Sequence, residues 1–140
     1  MKNLATLGAS ILRLLAKTND YPEHIDKQRF LRSAASYLRH LAREHLDLAP
    51  NQFQVHINPA GVALWGDVSL YTDHFHLFLS PPGYISSTAE GGQFYYRTVQ
   101  HRRDYTGGRN IWRPLTLLTD PRKLADELRA IQRSATCHTT

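Results

Sequence analysis

The stretch from Gln52 to Leu79 constrains the fold most, because its apolar residues alternate regularly with polar ones. Phe53, Val55 and Ile57 lie on one side of a period-two pattern, which is typical of a half-buried β-strand. Two turn-forming sequences divide the stretch, so the pattern predicts a three-stranded antiparallel meander with one apolar face. That face is expected to comprise Phe53, Val55, Ile57, Ala63, Trp65, Val68, Leu70, Phe75, Leu77 and Leu79.

The first turn sequence is Asn58–Gly61, in which proline favours the bend and glycine accepts a left-handed conformation. A three-residue loop ending at that glycine would pair Ile57 with Ala63 and Val55 with Trp65. The apolar pattern then slips by one residue, and a bulge at Gly66–Asp67 is expected to correct it.

The second turn sequence is Thr72–Asp73, which would set Leu70 opposite Phe75 and Val68 opposite Leu77. The apolar face continues across this turn without a break. We therefore expect Leu70 and Leu77 to be buried and the alternate residues to face the other way.

Helical spacing of apolar residues flanks this sheet at both ends of the chain. Pro114 removes one ladder donor and places its strand at a sheet edge, whereas Asp120 and Pro121 predict a helix start. The proline, glycine and serine content of Ser80–Gly92 predicts a loop there. The expected helices cover about 2–17, 20–46 (with a capping box of Asp20 and Glu23) and 120–133, and the expected further strands cover about 93–102 and 111–118.

The order of these elements predicts one α+β domain over residues 1–133, followed by a flexible tail over 134–140. We expect an antiparallel sheet of about five strands, a meander plus a C-terminal hairpin. Two N-terminal helices and one C-terminal helix are expected to cover one face of the sheet.

Composition narrows the class of protein. The 140 residues, 41% hydrophobic and 21% charged, suit a globular domain that needs no disulfide or metal. The single cysteine, Cys137, favours a reducing cytoplasm. Apolar residues at the N-terminus follow helical spacing, and Arg13 interrupts the continuous apolar run that a secretory signal requires. The spacing predicts packing on the sheet or, as the alternative, a membrane-surface helix, and the run is too short for a membrane span. We expect no cofactor, and the composition leaves the oligomeric state open.

Three histidines share the polar side of the strand pattern and form the first candidate site. His74 and His76 alternate on one strand, so their imidazoles would lie about 7 Å apart, a common start for a metal site. His56 or His101 would have to supply a third ligand. Without third and fourth ligands in fixed positions, we expect no tight zinc binding.

The run from His74 to Leu79 also resembles part of the histidine-triad motif of nucleotide hydrolases, in which three histidines alternate with apolar residues. Phe78 stands in the position of the third histidine, so the resemblance covers half of the motif. The chemistry of that family is not carried over to this chain on half of a motif. A histidine-dependent metal or phosphoester hydrolase that uses His74 and His76 is the second alternative function.

The segment from Tyr95 to Arg113 is the stronger candidate site. It contains five arginines and one acid, Asp104, a net charge of +4, with aromatic residues between them. Guanidinium groups bind phosphate, and aromatic rings stack on bases. The expected binding residues are Arg97, Arg102, Arg103, Tyr105, Arg109, Trp112 and Arg113.

This segment predicts a small, basic, non-enzymatic binding module whose arginine-rich hairpin, with a flexible Gly-Gly tip, contacts nucleic acid. The alternative is a protein-interaction or adaptor domain for an acidic protein, because arginine, tyrosine and tryptophan also dominate protein interfaces. A stripe shared with the arginines of the second helix would favour nucleic acid, and separate arginines around an apolar hollow would favour a protein partner. A deep pocket containing His74 or His76 would favour catalysis.

Overall fold

A computed structural model describes residues 3–15, 24–61, 66–80, 92–106 and 108–138 of the chain. These residues form an α+β fold in which the helices pack against a five-stranded antiparallel sheet, as the sequence predicted. The helices are α1 (Leu4–Leu15), α2 (His24–His40) and α3 (Pro121–His138), and the strands are β1 (Phe53–Asn58), β2 (Asp67–Thr72), β3 (Phe75–Leu79), β4 (Gln93–Thr98) and β5 (Ile111–Pro114).

The strands follow one another in the sheet in chain order, each antiparallel to the next. The predicted register between β1 and β2 is wrong, because Val55 pairs with Leu70 and Ile57 with Val68. The connection between these strands is therefore longer than a three-residue loop. Ala63 and Trp65, the predicted partners, lie outside the described residues.

Gly66 ends that longer connection and does not form a bulge within a strand. Its φ is +79°, a conformation that favours glycine. A Cβ at this position would lie 2.3 Å from the Asn58 carbonyl oxygen, so a larger residue would force the two chain segments apart. Asp67 follows directly as the first residue of β2, opposite Asn58.

The register between β2 and β3 differs by two residues from the prediction, with Leu70 opposite Leu77. The turn is wider because the Thr72 hydroxyl accepts hydrogen bonds from the amides of His74 (3.2 Å) and Phe75 (3.0 Å). A shift of two residues preserves the period-two alternation, so the predicted apolar face survives the wrong register.

The core lies between that apolar face and the helices. Leu70 and Leu77 are fully buried, as predicted, together with the other apolar residues of β2 and β3 on the same face. Helix α2 contacts β1 and β2, and α3 contacts β3. We call this helix-covered side the inner face of the sheet and the opposite side the outer face.

Helix α1 packs on α2 and on a 3₁₀ turn at Leu115–Thr119. The approach is close, since a Cβ on Gly8 would lie 2.2 Å from the Leu118 carbonyl oxygen. The same oxygen accepts a hydrogen bond of 2.7 Å from the buried Tyr37 hydroxyl. The last strand, predicted over 111–118, ends early at Pro114. The residues after it form the 3₁₀ turn that packs against α1.

Two end signals in the sequence are confirmed. β5, which ends at Pro114, is an edge strand. Asp120 caps α3, since its side chain accepts a hydrogen bond from the Lys123 amide (3.3 Å) and its carbonyl one from the Leu124 amide (3.1 Å). The backbone stays helical to His138, beyond the predicted end near residue 133, and the flexibility of the tail stays a prediction.

Helix α2 continues as a π-helical segment, Leu41–His45, to nearly the predicted end. The capping box of Asp20 and Glu23 lies outside the described residues, as does most of the predicted loop Ser80–Gly92. None of the described helices combines the length and apolar content needed to cross a bilayer.

Candidate functional site

The outer face of the sheet carries a line of three aromatic side chains. Phe78 of β3 pairs with Tyr95 of β4, and Tyr95 pairs with Trp112 of β5. Directly opposed residues of an antiparallel sheet point to the same side, so the three rings lie in one row across three strands. We call Phe78, Tyr95 and Trp112 the aromatic row.

The rings of the aromatic row contact one another. The centroids of Phe78 and Tyr95 are 4.9 Å apart with an interplanar angle of 23°, and those of Tyr95 and Trp112 are 4.7 Å apart at 49°. Trp112 is 53% exposed, and the other two rings are half-buried. Burial raises the pKa of the Tyr95 phenol further above its ordinary value. The row offers a continuous apolar surface beside solvent.

A second line of residues crosses the outer face next to this row. Tyr71 of β2 pairs with His76 of β3, which pairs with Arg97 of β4. His76 is fully buried and Arg97 nearly so, although neither lies on the inner face. They are covered because residues 99–106, which we call the return loop, fold back over the sheet after β4.

Three polar contacts join His76 and Arg97 to each other and to the return loop. The His76 Nε2–H donates a hydrogen bond of 2.6 Å to the Arg102 carbonyl oxygen. The Arg97 Nη2 donates one of 3.1 Å to the Asp104 carbonyl oxygen and lies 3.4 Å from His76 Nδ1. The residues that precede the predicted Gly-Gly tip are therefore held against the sheet along the return loop.

Tyr105 lies on top of this arrangement and remains 62% exposed. Its ring centroid is 5.8 Å from that of His76 and 6.0 Å from that of Tyr71. The Asp104 carboxylate supports the loop by accepting hydrogen bonds from the amides of Gln100 (3.2 Å) and Thr106 (3.3 Å). An exposed ring thus lies on the outer face beside the aromatic row.

Two of the remaining predicted cations are tied to acids. Arg102 pairs with Asp73 at 3.2 Å and donates a hydrogen bond of 2.8 Å to the Asn51 carbonyl oxygen. Arg113 lies opposite Phe94 on the inner face and pairs with Glu127 of α3 at 3.1 Å. Neither guanidinium is presented to solvent as a free cation.

Glu127 is also the acceptor for the Tyr96 hydroxyl, at 3.1 Å. Burial, reinforced by this carboxylate, raises the pKa of Tyr96 to about 12. Arg113 therefore belongs to a polar cluster that joins β4, β5 and α3. Its place on the inner face separates it from the other predicted binding residues.

Arg103 and Arg109 have a different environment. Both are exposed, and within the described part of the chain neither forms an ion pair. Arg103 lies in the return loop next to Tyr105, and Arg109 precedes β5, three residues before Trp112. Four of the seven predicted residues, Arg103, Tyr105, Arg109 and Trp112, thus remain exposed.

The histidines do not form a metal site in the described residues, where no group of three or more His, Cys, Asp or Glu side chains is arranged to hold a metal ion. His56 is exposed on β1, and His74 lies in the turn before β3. Burial lowers the pKa of His76, the hydrogen bond to Arg102 opposes this shift, and the charge of Arg97 lowers the pKa further.

Sequence reasoning missed the role of Phe78 and Tyr95. The alternation in β3 was available as a signal, since Phe78 has the same parity as His76 and therefore faces outward. Which β4 and β5 residues lie beside it depends on register, which the sequence did not determine. The burial of His76 depends on the return loop and had no local signal at all.

The outer face therefore combines an aromatic row, a loop held over a buried histidine and arginine, and two exposed arginines. No protein-family model matches this chain, and no match is found among curated proteins or among solved structures.

Proposed function

We propose that this chain is a non-enzymatic binding module that takes single-stranded nucleic acid on the outer face of its sheet. The aromatic row is the observation that carries the proposal. Rings at successive strands accept unstacked bases, and each stacked base contributes about 1–3 kcal/mol with little dependence on sequence. Trp112, 53% exposed, is the ring with the most free surface in this row.

Arg103 and Arg109 supply the charge that such a ligand needs. Guanidinium groups bind phosphate oxygens through paired hydrogen bonds. Both arginine side chains are exposed, and in the sequence they lie within three residues of Tyr105 and Trp112, respectively. The net charge of +5 adds a general attraction for polyanions. A cytoplasmic location belongs to the same proposal, since a single cysteine suits a reducing compartment.

A single strand fits this surface better than a duplex. Bases in a duplex are already stacked on each other and expose only their edges in the grooves, whereas a loop or free strand offers its base faces. The aromatic rings on the sheet are suited to contact the faces of bases, which a duplex does not expose. The arginines of α2 are on the helix side of the sheet, so they do not extend this surface. The shared arginine stripe expected to favour nucleic acid is therefore not formed by the described residues, and the proposal depends on the aromatic row instead.

Fluorescence anisotropy with labelled single-stranded and duplex oligonucleotides, DNA and RNA, tests the proposal. We expect single strands to bind more tightly than duplexes. With two phosphates neutralised, log affinity should fall with log salt at a slope of about −1.4. Trp112→Ala should weaken binding about tenfold, the loss of one stacked base.

The charge contribution has a matched control. Replacing Arg103 and Arg109 together by Gln should flatten the salt slope, whereas replacing Arg32 and Arg39, two exposed arginines of α2, should leave the slope unchanged. Binding that responds to the α2 pair and ignores the outer-face pair would contradict the proposed site.

An acidic protein partner is the other outcome of this experiment. Poly-glutamate peptide in the same assay represents its chemistry. Binding of the peptide, with no oligonucleotide bound at tens of micromolar protein, would overturn the nucleic-acid proposal and favour the protein-interaction alternative, because exposed tryptophan, tyrosine and arginine also form interface hot spots.

A further inference from the structure

We propose that His76 and Arg97 are positioning residues that hold the return loop so that Arg103 and Tyr105 lie beside the aromatic row. The inference rests on the proposed function for its consequence, since it concerns how the same site is kept ready to bind. Neither residue is expected to touch the nucleic acid, because both are buried beneath the loop.

The contacts are arranged on both sides of Arg103. The carbonyl oxygen of Arg102 is bound from the sheet by His76, and that of Asp104 by Arg97. With both neighbouring carbonyls turned toward the sheet, the loop cannot rotate about Arg103 without breaking a partly buried hydrogen bond. The exposure of the Arg103 side chain is therefore maintained from below.

The contacts also select one form of the His76 ring. The Arg102 carbonyl is only an acceptor, so Nε2 must carry a proton. The Arg97 guanidinium is only a donor, so the ring nitrogen that faces it, Nδ1, must present a lone pair. Neutral imidazole with its proton on Nε2 satisfies both partners, and imidazolium does not.

Protonation of His76 would therefore turn Nδ1 into a donor facing another donor, beside a second positive charge. The groups that face His76 come from every element around it, and the acid among them opposes this effect. They are Tyr71 of β2, Arg97 of β4, and His101, Asp104 and Tyr105 of the return loop. The single carboxylate of Asp104 does not offset both Arg97 and His101. Protonation of His76 at low pH should therefore weaken its contact with Arg97 and release the return loop.

Nuclear magnetic resonance on the ligand-free protein tests the positioning role without any oligonucleotide. On acidification, the His76 ring and the backbone amides of residues 101–105 should shift together, with one midpoint below about 6.5, the ordinary histidine value. His76→Gln retains a donor near the Nε2 position but does not titrate, so its loop amides should lose that transition. A ring that titrates without the loop amides, or a transition that persists in His76→Gln, would overturn the proposal.

Binding of a labelled single strand gives the second readout. His76→Leu removes both contacts and should weaken binding about tenfold, as expected when one stacking ring leaves its position. His76→Gln should restore most of the affinity. The matched control is His56→Leu, which changes an exposed outer-face histidine whose ring lies near Tyr71 and, among the described residues, forms no hydrogen bond with the return loop. This variant should bind like the parent protein.

The failures of the two proposals are distinguishable. A parent protein that binds no oligonucleotide overturns the proposed function, whatever the loop does. A parent protein that binds, with His76→Leu binding equally well and its loop amides unshifted, overturns the positioning role alone.

Discussion

The two faces of this sheet are made from the same strands, yet they are closed by different means. On the inner face, aliphatic residues such as Leu70 and Leu77 are fully buried against helices. On the outer face, half-exposed rings lie beside His76 and Arg97, which are buried by one loop through hydrogen bonds. Apolar packing gives the first face its stability, and directional polar contacts give the second face its shape.

The difference matters because the two kinds of contact respond differently to change. Apolar burial is non-directional and roughly proportional to area, so a change on the inner face costs stability according to the apolar area that is lost. A buried hydrogen bond depends on one donor and one acceptor, and losing either leaves the other unsatisfied. We therefore expect the loss of a single donor or acceptor to alter the geometry of the outer face more than that of the inner face.

The largest expected effect is on the inner face. Leu70→Ala should lower the free energy of unfolding by about 2–5 kcal/mol, since it removes a fully buried side chain from a packed core. Urea denaturation followed by circular dichroism measures this loss. A loss no greater than that of the outer-face variants below would show that the two faces are not distinct in this way.

A smaller loss is expected from Arg97→Met, on the outer face. The substitution keeps the length of the side chain but removes the donors to the Asp104 carbonyl and to His76. We expect about 1–3 kcal/mol, the usual cost of leaving buried polar groups without a partner. The same denaturation measures it, and Arg32→Met on the exposed side of α2 is the control, with no significant change expected.

Protonation of His76 should have a smaller effect again. Because burial lowers the folded-state pKa, the unfolded chain takes up the proton first as pH falls. Neutral His76 contributes fully to the free energy of unfolding above about pH 6.5, which is the pKa of histidine in the unfolded chain. That contribution is lost as the pH falls from there through the lower pKa of the folded state. His76→Gln should flatten this part of the stability profile; an unchanged profile would assign the pH dependence to the other histidines.

The smallest expected effect on stability belongs to Trp112→Ala. A side chain that is 53% exposed on an edge strand should contribute within about 0.5 kcal/mol. The same variant is expected to lose about tenfold in oligonucleotide affinity. Stability retained with binding lost would sharpen the contrast between the faces, whereas a large stability loss would place Trp112 among the structural residues.

How far the sequence predicts this fold depends on whether a signal is local. Alternation in β2 and β3 determined which residues face inward, and that assignment held although the pairing register was wrong by two residues. The cap at Asp120 and the edge position of Pro114 were equally clear, because each follows from the geometry of a single residue. Such signals need no knowledge of distant partners.

The fate of the arginines could not be predicted in this way. Arg97, Arg102 and Arg113 look alike in the sequence, but their partners lie in other elements: His76, Asp73 and Glu127. Of the five arginines between Tyr95 and Arg113, Arg103 and Arg109 are the two that are exposed and that form no ion pair with a described residue. A count of charges therefore overstated the cations that a ligand could reach.

The sequence by itself determined the α+β class, the inward side of each central strand and the start of the last helix. Only the tertiary structure decided the strand register, the alignment of the aromatic row and the burial of His76. Period-two alternation is unchanged by a shift of two residues, so it cannot choose between registers. The path of the return loop depends on hydrogen bonds between residues far apart in the chain, such as the one between His76 and Arg102. These hydrogen bonds require the strands to be paired.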